Sequence, residues 1–454
     1  MSRSRVFLNT FFIRSSQRDS ATGASGVDRT LTVHANAIAL FFNLVVSAGF
    51  GYLSWLLVAR IVSPPTVGLA AAVVSAALLC SHVAIMGLSI TIITFLPRQL
   101  RDPGALLDVF FTIVIVVASL CGLVVILIAA SFLTHLQVLA SNFTLAASFL
   151  ALVTATSVLI LLDGTSIALR RADYAVVRAA VGGIAKVSLL VVVWLAATLS
   201  ASTVAAAWAI ATVGACLLGY RQLRSTFPAY RYRPRFSRVW ARVAFKTGLA
   251  NHLLNLSRLI PTLVIPLLVT ELLSPAENAY WYAAWMIVLL LRFIPETTAQ
   301  ATLAEITNRS ASVAGGIWRN MSSSFVVSLL AMVTLIMGAH PVLSVIGPTY
   351  ASAGTTPLRL LALSIFPQIV IESYILMRRA TMQLREANVA FAIAGVASIA
   401  AAAYGGKTHG LVGVAAGWLL VETATGVWAA SRLIGSGDVE RDARGKDGQQ
   451  VRAA

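Results

Sequence analysis

Four residues of one apolar segment, Asn251, Asn255, Arg258 and Thr262, fall on a single face when wound at about 100° per residue. Polar and charged side chains inside an apolar run are costly and turn toward a protein interior or water. This stripe is therefore the chain's first candidate for chemistry. Arg258 has no acidic residue three or four positions away. Its planar guanidinium can hold the oxygens of an anionic group through paired hydrogen bonds and stays charged when partly buried. A second segment carries Trp281, Trp285, Arg292 and Glu296 on one side. Arg292 and Glu296 stand four apart, so they either neutralise each other or serve a ligand. The two tryptophans offer stacking surfaces for a sugar or, Trp281 above all, mark an interfacial aromatic belt.

The first apolar segment presents Asn36, Asn43, Ser47 and Ser54 on one narrow face, and the second carries Ser75, His82 and Ser89 at seven-residue steps. His82 reads either as a hydrogen-bonded structural histidine or as a functional one. Lys186, Glu372 and Glu422 also lie deep within apolar runs, while Asp163, Glu305 and Arg359 lie near run ends and can reach the interface. Together these give Arg258, Arg292, Asn43, Ser47, Asn251, Asn255, Trp285 and Lys186 as candidates for binding, and Glu296, Glu372 and His82 for coupling or gating. Pro261 and Pro295 join the gating set because proline removes a backbone hydrogen bond and bends a helix. No acidic pair or Asp-x-Asp sits at a run end, which argues against glycosyl transfer, and no Gly-rich phosphate loop is present for ATP hydrolysis. Cys80, Cys121 and Cys216 lie inside apolar runs without metal-ligand spacing, so no metal or cofactor is expected.

The elements that must position these residues follow from composition. The chain of 454 residues is 58% hydrophobic and only 11% charged, with a mean hydropathy of +0.84. That leaves too little polar surface for a water-soluble globule, whose charged share is about 25%. Apolar runs of about 20 residues read as membrane-spanning helices. About twelve spans are expected, near 36–58, 67–95, 106–132, 143–163, 174–197 and 202–220, then 247–270, 278–304, 320–340, 356–377, 387–404 and 410–430. "VFLNTFFI" (Val6 to Ile13) reads as an interfacial helix or a mobile tail rather than a secretory signal.

The net charge of +17 needs no nucleic acid partner. Arginines and lysines crowd the two tails and every even gap between spans, whereas the odd gaps hold Arg60 and Lys407. The positive-inside rule then puts both termini in the cytoplasm. The predicted organisation is a cytoplasmic tail (1–33), a six-helix bundle (34–220), a basic linker suited to anionic membrane lipids (221–246), a second bundle (247–432) and a disordered cytoplasmic tail (433–454). An internal duplication supports the two bundles. "LLVARIVSPPTVG" (Leu56 to Gly68) is echoed 211 residues later by "LLVTELLSPAENA" (Leu267 to Ala279), and "IALRRA" (Ile167 to Ala172) by "ILMRRA" (Ile375 to Ala380) at 208. An even-numbered repeat gives a pseudo-two-fold axis along the membrane normal, with a site between the halves.

With this six-plus-six layout, the exit "LLVARIVSPPTVG" and the tenth span "PLRLLALSIFPQIVIESYILMRRA", residues 34–432 resemble the multidrug/oligosaccharidyl-lipid/polysaccharide (MOP) superfamily, and most of all its bacterial polysaccharide-flippase branch. The resemblance implies an all-α polytopic fold of two bundles in a V. It also implies a cavity lined largely by the first, second, seventh and eighth helices. The implied activity is movement of a polyprenyl-diphosphate-linked glycan from the cytoplasmic to the outer leaflet of the inner membrane. Implied partners are that lipid-linked glycan, membrane lipids, and the glycosyltransferases or polymerase of the same pathway. Many drug exporters of the superfamily carry a carboxylate in the first helix; "ANAIALFFNLVVSAGFGYLSWLLVAR" has none. That lowers the drug/cation antiport alternative and leaves H+ or Na+ coupling open. A major facilitator is disfavoured because "FLPRQLRDPGALLD" lacks that group's usual basic pattern after the second span.

Overall fold

Segments this long and apolar satisfy their backbone hydrogen bonds in lipid only as helices, and every regular element among the described residues is helical. The computed structural model describes residues 26–99, 103–196, 199–307 and 313–453, with the backbone alone for 26–38, 40, 244–247, 250, 304, 307, 313–314 and 436–453. The interfacial helix or tail expected at Val6–Ile13 and the side chain of Asn36 lie outside this description. The first half comprises α1 (Gly26–Ile61), α2 (Pro64–Ala84), α3 (Leu88–Phe95), α4 (Gly104–Phe132), α5 (Phe143–Ala168), α6 (Ala172–Ala196) and α7 (Ala201–Thr226). The second comprises α8 (Arg238–Leu272), α9 (Pro275–Thr307), α10 (Val313–Ser344), α11 (Pro348–Leu363), α12 (Ile365–Ala380) and α13 (Leu384–Ala453).

Ten helices among the described residues are long and apolar enough to cross a membrane. One of them, Leu384–Gly435, leaves helical geometry at His409 and Gly410 and so makes two crossings. α9 escapes the count because Glu277, Arg292, Glu296 and Glu305 lower its hydropathy. Its length of about 50 Å still exceeds a hydrocarbon core of about 30 Å. These segments account for the twelve expected crossings. Two of them are broken where single helices were expected. The second span parts at Met86 and Gly87, whose φ angles of 42° and 79° are left-handed, and the tenth parts at Ser364 between α11 and α12. Helical backbone of α13 runs past residue 433 to Ala453.

The repeat is visible as a contact. The Asn278 side-chain amide donates to the Gly68 carbonyl at 2.7 Å. A Cβ on Gly68 would stand 1.6 Å from the Pro275 oxygen and 2.9 Å from the nitrogen of Ala279, its own counterpart at the 211-residue offset. Equivalent residues that touch mark a two-fold axis, here between the starts of α2 and α9. Gly68→Val is expected to drive these helices apart, because backbone on the facing helix cannot yield as a flexible side chain would. The check is a lower thermal midpoint of the purified protein, with Gly49→Val, where an added Cβ meets nothing within 4 Å, less affected.

Burial shows how the halves meet. At the axis end one apolar core runs through both, joining Trp55, Val58, Ala72 and Trp208 of the first half to Ile265, Trp281, Trp285 and Trp418 of the second. At the opposite end the core is split. Ile85, Leu96, Phe110 and Leu161 form one cluster in the first half, and Leu254, Tyr374, Met377 and Phe391 form another in the second. The bundles are thus a V with one shared core at the axis end and separate cores at the end that carries the basic gaps, where Gly87 still meets Gly248 backbone to backbone and Trp240 of α8 packs edge-on to Phe95 and Phe110.

The linker is shorter than the expected 221–246, because α7 continues through Thr226 and α8 begins at Arg238. The intervening strand of chain is strapped to α4. Buried Asp108 accepts hydrogen bonds from the Tyr230 hydroxyl at 3.0 Å and the Arg233 N–H at 3.1 Å, with Arg235 Nε at 3.7 Å. Burial and the neighbouring Asp108 carboxylate push the Tyr230 hydroxyl up, which keeps it a donor. Asp108→Ala is expected to release the strap. Bonds to a charged acceptor contribute about 1.5–3 kcal/mol each, so trypsin cleavage at Arg231 and Arg235 should speed up about tenfold or more.

Candidate functional site

Between the arms of the V lies a cavity of about 500 Å³. The second half supplies most of its wall: Asn255 and Arg258 from α8, Arg292 and Glu296 from α9, Glu372 and Arg379 from α12, and Phe391, Trp418 and Glu422 from α13. The first half adds His82, Ile85, Ser89, Ile90 and Ile160, none of them carrying a full charge. Three arginines and three glutamates therefore face the cavity from one bundle.

Each helix delivers its charge to a partner on another helix. Arg258 pairs with Glu372 across α8 and α12, and Gln368 Nε2 donates to the same carboxylate oxygen at 2.7 Å. Arg292 Nη2 meets Glu422 Oε1 at 3.3 Å across α9 and α13. The Arg292 guanidinium also sits 5.8 Å from the Trp285 ring and 5.6 Å from Trp418, within cation–π range. The mutual pairing considered for Arg292 and Glu296 is thus corrected: a carboxylate from a neighbouring helix lies closer to the guanidinium than the one four residues on. Glu296 instead receives Gln300 Nε2 at 3.4 Å. Arg258, without an acidic neighbour on its own helix, finds one on α12.

Arg379 differs from the other two arginines. Its Nη2 donates to the neutral Asn255 Oδ1 at 2.9 Å, and its buried Nε has no hydrogen-bond partner. The Arg292 Nη1, Glu422 Oε2 and His252 Nε2 atoms are likewise buried and unpartnered. Buried polar atoms of this kind are rare in folded proteins and need an explanation. Here four of them belong to residues of a single cavity, so they offer two guanidinium donors, a carboxylate acceptor and an imidazole nitrogen to whatever enters.

The structure gathers seven of the thirteen singled-out residues at this cavity: Asn255, Arg258, Pro261, Arg292, Glu296, Glu372 and His82. It leaves six elsewhere. Asn43 is half-buried and Ser47 exposed on α1, which packs chiefly on α6 and lends no residue to the lining. Asn251 stands one turn from Asn255 but outside the lining, and Pro295 is buried within α9. Lys186 places its ammonium 4.9 Å from the Trp208 ring, on the first half's own core. Trp285 is buried, stacked on Trp281 at 6.0 Å and edge-on to Trp418 at 4.9 Å. It supports Arg292 from below and presents no face to the cavity.

The helices remain continuous through both gating prolines. Pro261 withdraws an N–H from the Ser257 carbonyl, and Gly395 of α13 closes on that freed oxygen, where a Cβ would stand at 2.8 Å. Arg379, His252, Gln300 and Trp418 escaped selection in the sequence. Arg379 belongs to the repeated Arg-Arg pair "ILMRRA", whose place at a span end made it look like an ordinary interfacial charge.

No family model and no curated protein matches the chain's sequence. Solved structures match its fold. An inward-facing multidrug resistance MATE family transporter of the MOP superfamily aligns with a TM-score of 0.68 at 15% identity, covering 88% of this chain and 98% of that one. The lipid II flippase MurJ in an inward closed conformation also gives 0.68, at 14% identity over 88% of this chain and 87% of that one. An outward-facing multidrug resistance MATE family transporter gives 0.60 at 16% identity over 89% and 96%. The chain is an all-α, multi-pass membrane protein with the fold of MOP superfamily transporters.

Proposed function

We propose that this chain is a transporter that carries a polyprenyl-diphosphate-linked oligosaccharide from the cytoplasmic to the outer leaflet of a bacterial plasma membrane by alternating access. The observation that carries the reading is Arg379, a guanidinium facing the cavity whose recorded side-chain bond goes to an amide and whose Nε is bare. An arginine without a carboxylate keeps its full charge and donors for an incoming anion, and a diphosphate has the oxygens to accept them. Arg292 Nη1 adds a second donor from across the cavity. The basic residues of the tails and even gaps support both termini being cytoplasmic, on the side where the two bundles keep separate cores. Enzymes that assemble or extend the glycan are the partners this role requires.

Arg379→Ala is expected to cut transport about ten- to hundredfold with normal membrane abundance, the loss set by one charge-assisted contact of about 1.5–3 kcal/mol. The measurement is accumulation of glycan-lipid on the cytoplasmic leaflet of cells that depend on the variant. Full transport by Arg379→Ala would remove the anion site. A drug/cation antiporter is the second reading, favoured by Glu296, whose recorded side-chain bond comes from the neutral Gln300. Cells lacking the chain would then show dye or drug sensitivity with unchanged glycan.

A further inference from the structure

The linker between the bundles reads Tyr-Arg-Tyr-Arg from Tyr230 to Arg233. It has no regular secondary structure there, and burial alternates along it: Tyr230 is buried, Tyr232 half-buried, and Arg231 and Arg233 are exposed. Both tyrosines are tied to one face of α4. The Tyr230 hydroxyl donates to Asp108, and the Tyr232 hydroxyl lies 3.0 Å from Thr112 Oγ1, one helical turn on. The alternation of residue types is thus an alternation of sides, tyrosines turned in and arginines turned out.

Beneath the tyrosines lies a second cavity, of about 350 Å³, which shares no lining residue with the charged one. It arises because α4 and α7 both pack on α5 rather than on each other. Phe111 and Ile115 of α4 form one wall, Cys216 and Tyr220 of α7 the other, and Leu162 of α5 the floor. The linker tyrosines are the roof, with the Tyr232 ring edge-on to Phe111 at 6.4 Å and the Tyr230 ring 6.3 Å from Tyr220. Val116 and Leu217, each next to a lining residue, are exposed, so the cleft opens sideways to lipid. From the start of α4 at Gly104 to Ile115 the wall runs about 17 Å at 1.5 Å per residue, close to one leaflet of a hydrocarbon core of about 30 Å. The mouth is basic. Cys216, Tyr220 and Arg224 stand four apart on α7 and share a face, which carries the apolar wall up to an exposed guanidinium. No ion pair among the described residues involves Arg224, Arg231 or Arg233.

We propose that this cleft binds one phospholipid with an anionic headgroup, an acyl chain lying between α4 and α7 under the two tyrosines and the phosphate at Arg224, Arg231 and Arg233. Charge decides the occupant. The apolar and aromatic walls fit any acyl chain, whereas three guanidiniums without carboxylates favour a headgroup with net negative charge over a zwitterionic one. The site lies wholly on the first half and its linker, away from the anion site proposed at Arg379 on the second. A lipid seated there holds the linker on both its sides, its chain beneath the tyrosines and its phosphate at the arginines. The linker leads directly into α8, whose Trp240 packs edge-on to Phe95 and Phe110 of the first half at 6.1 and 6.3 Å. Anionic lipid therefore braces the joint between the bundles.

The test uses the full chain in nanodiscs of phosphatidylcholine, with or without phosphatidylglycerol, and acyl-diazirine probes of both lipids. Labelling of the segments 111–116 and 216–220 is read against α6, whose exposed Val181 and Val192 report bulk lipid. The phosphatidylglycerol probe is expected to label the cleft about tenfold above this reference, and the phosphatidylcholine probe at the reference. The double variant Arg224→Gln, Arg233→Gln should remove the excess; both side chains are exposed and outside every ion pair just considered, so the fold is kept. Ile115→Trp, which fills the cleft and leaves the arginines in place, should remove it too. Trypsin cleavage after Arg231 should slow about tenfold when phosphatidylglycerol is present, and Ile115→Trp should abolish the difference. Equal cleft labelling by the two probes would overturn the proposal, as would an excess that persists in both variants. Displacement of phosphatidylglycerol from the cleft by polyprenyl diphosphate would overturn it as well, by giving the cleft to another lipid. Cleavage indifferent to phosphatidylglycerol would overturn the bracing of the joint.

Discussion

Arg258→Ala is expected to lower the amount of folded protein in the membrane, and transport with it. Glu372 is nearly buried, with 4% of its side chain exposed, against 21% for Arg258. Removing one member of such a pair leaves an uncompensated charge, at a cost of about 3–5 kcal/mol, whereas replacing both by neutral groups of similar volume is often close to neutral. The cost is toward the lower figure here because water reaches part of Arg258. The double variant Arg258→Met, Glu372→Gln should accordingly recover abundance, with Gln368 still able to bond the new amide. Abundance by immunoblot and the thermal midpoint of the purified protein separate the variants. Transport by the double variant then decides the role of Arg258: recovery would make the pair structural, and continued loss at normal abundance would place Arg258 on the substrate. Wild-type abundance in Arg258→Ala would refute the pairing argument.

The second large effect is expected at Glu271→Ala. Glu271 ends α8 at the closed end of the V and reaches across to the first half. Its carboxylate accepts the backbone N–H groups of Thr134, His135 and Leu136 at 2.8, 3.3 and 2.7 Å. Three N–H groups converging on one anion form a latch that can exist only while the two bundles meet at this end. The site is partly open to water, so a discounted contribution of about 1.4 kcal/mol is appropriate, equivalent to a tenfold shift in population. Spin labels at exposed Phe143 and Val345, one on each bundle, should report a larger fraction of widely separated distances in the variant. An unchanged distance distribution would remove Glu271 from the gate. In the repeat, the counterpart of Glu271 is Arg60, which cannot accept these bonds, so the latch belongs to one side only.

Much of the scaffold could be read from the chain. Apolar runs separated by basic gaps specify helices and their number, since backbone polar groups in lipid allow no other open-chain solution. The echo of "SPPTVG" in "SPAENA" located two starts of helix that turn out to meet at the axis through Gly68 and Asn278. Helical phase grouped Asn255 with Arg258 on one span and Arg292 with Glu296 on the next, and all four line one cavity, because residues on a common face of a buried helix share one environment. The same rule misled at Asn43, Ser47 and Trp285. Phase says which residues of one helix lie together, and it carries no information on which neighbour that face will meet.

Pairing between helices was the part that tertiary structure alone decided. Arg258 with Glu372, Arg292 with Glu422 and Arg379 with Asn255 join residues from 114 to 130 positions apart. Local spacing offered only Glu296 to Arg292, since sequence ranks neighbours by distance along the chain while Coulomb attraction acts through space. The charge of the cavity followed from the same fact. Bringing the helices together supplied a carboxylate for two of the three arginines. What stays uncommitted, the Arg379 Nε at the cavity, exists only as a difference left after the packing is complete.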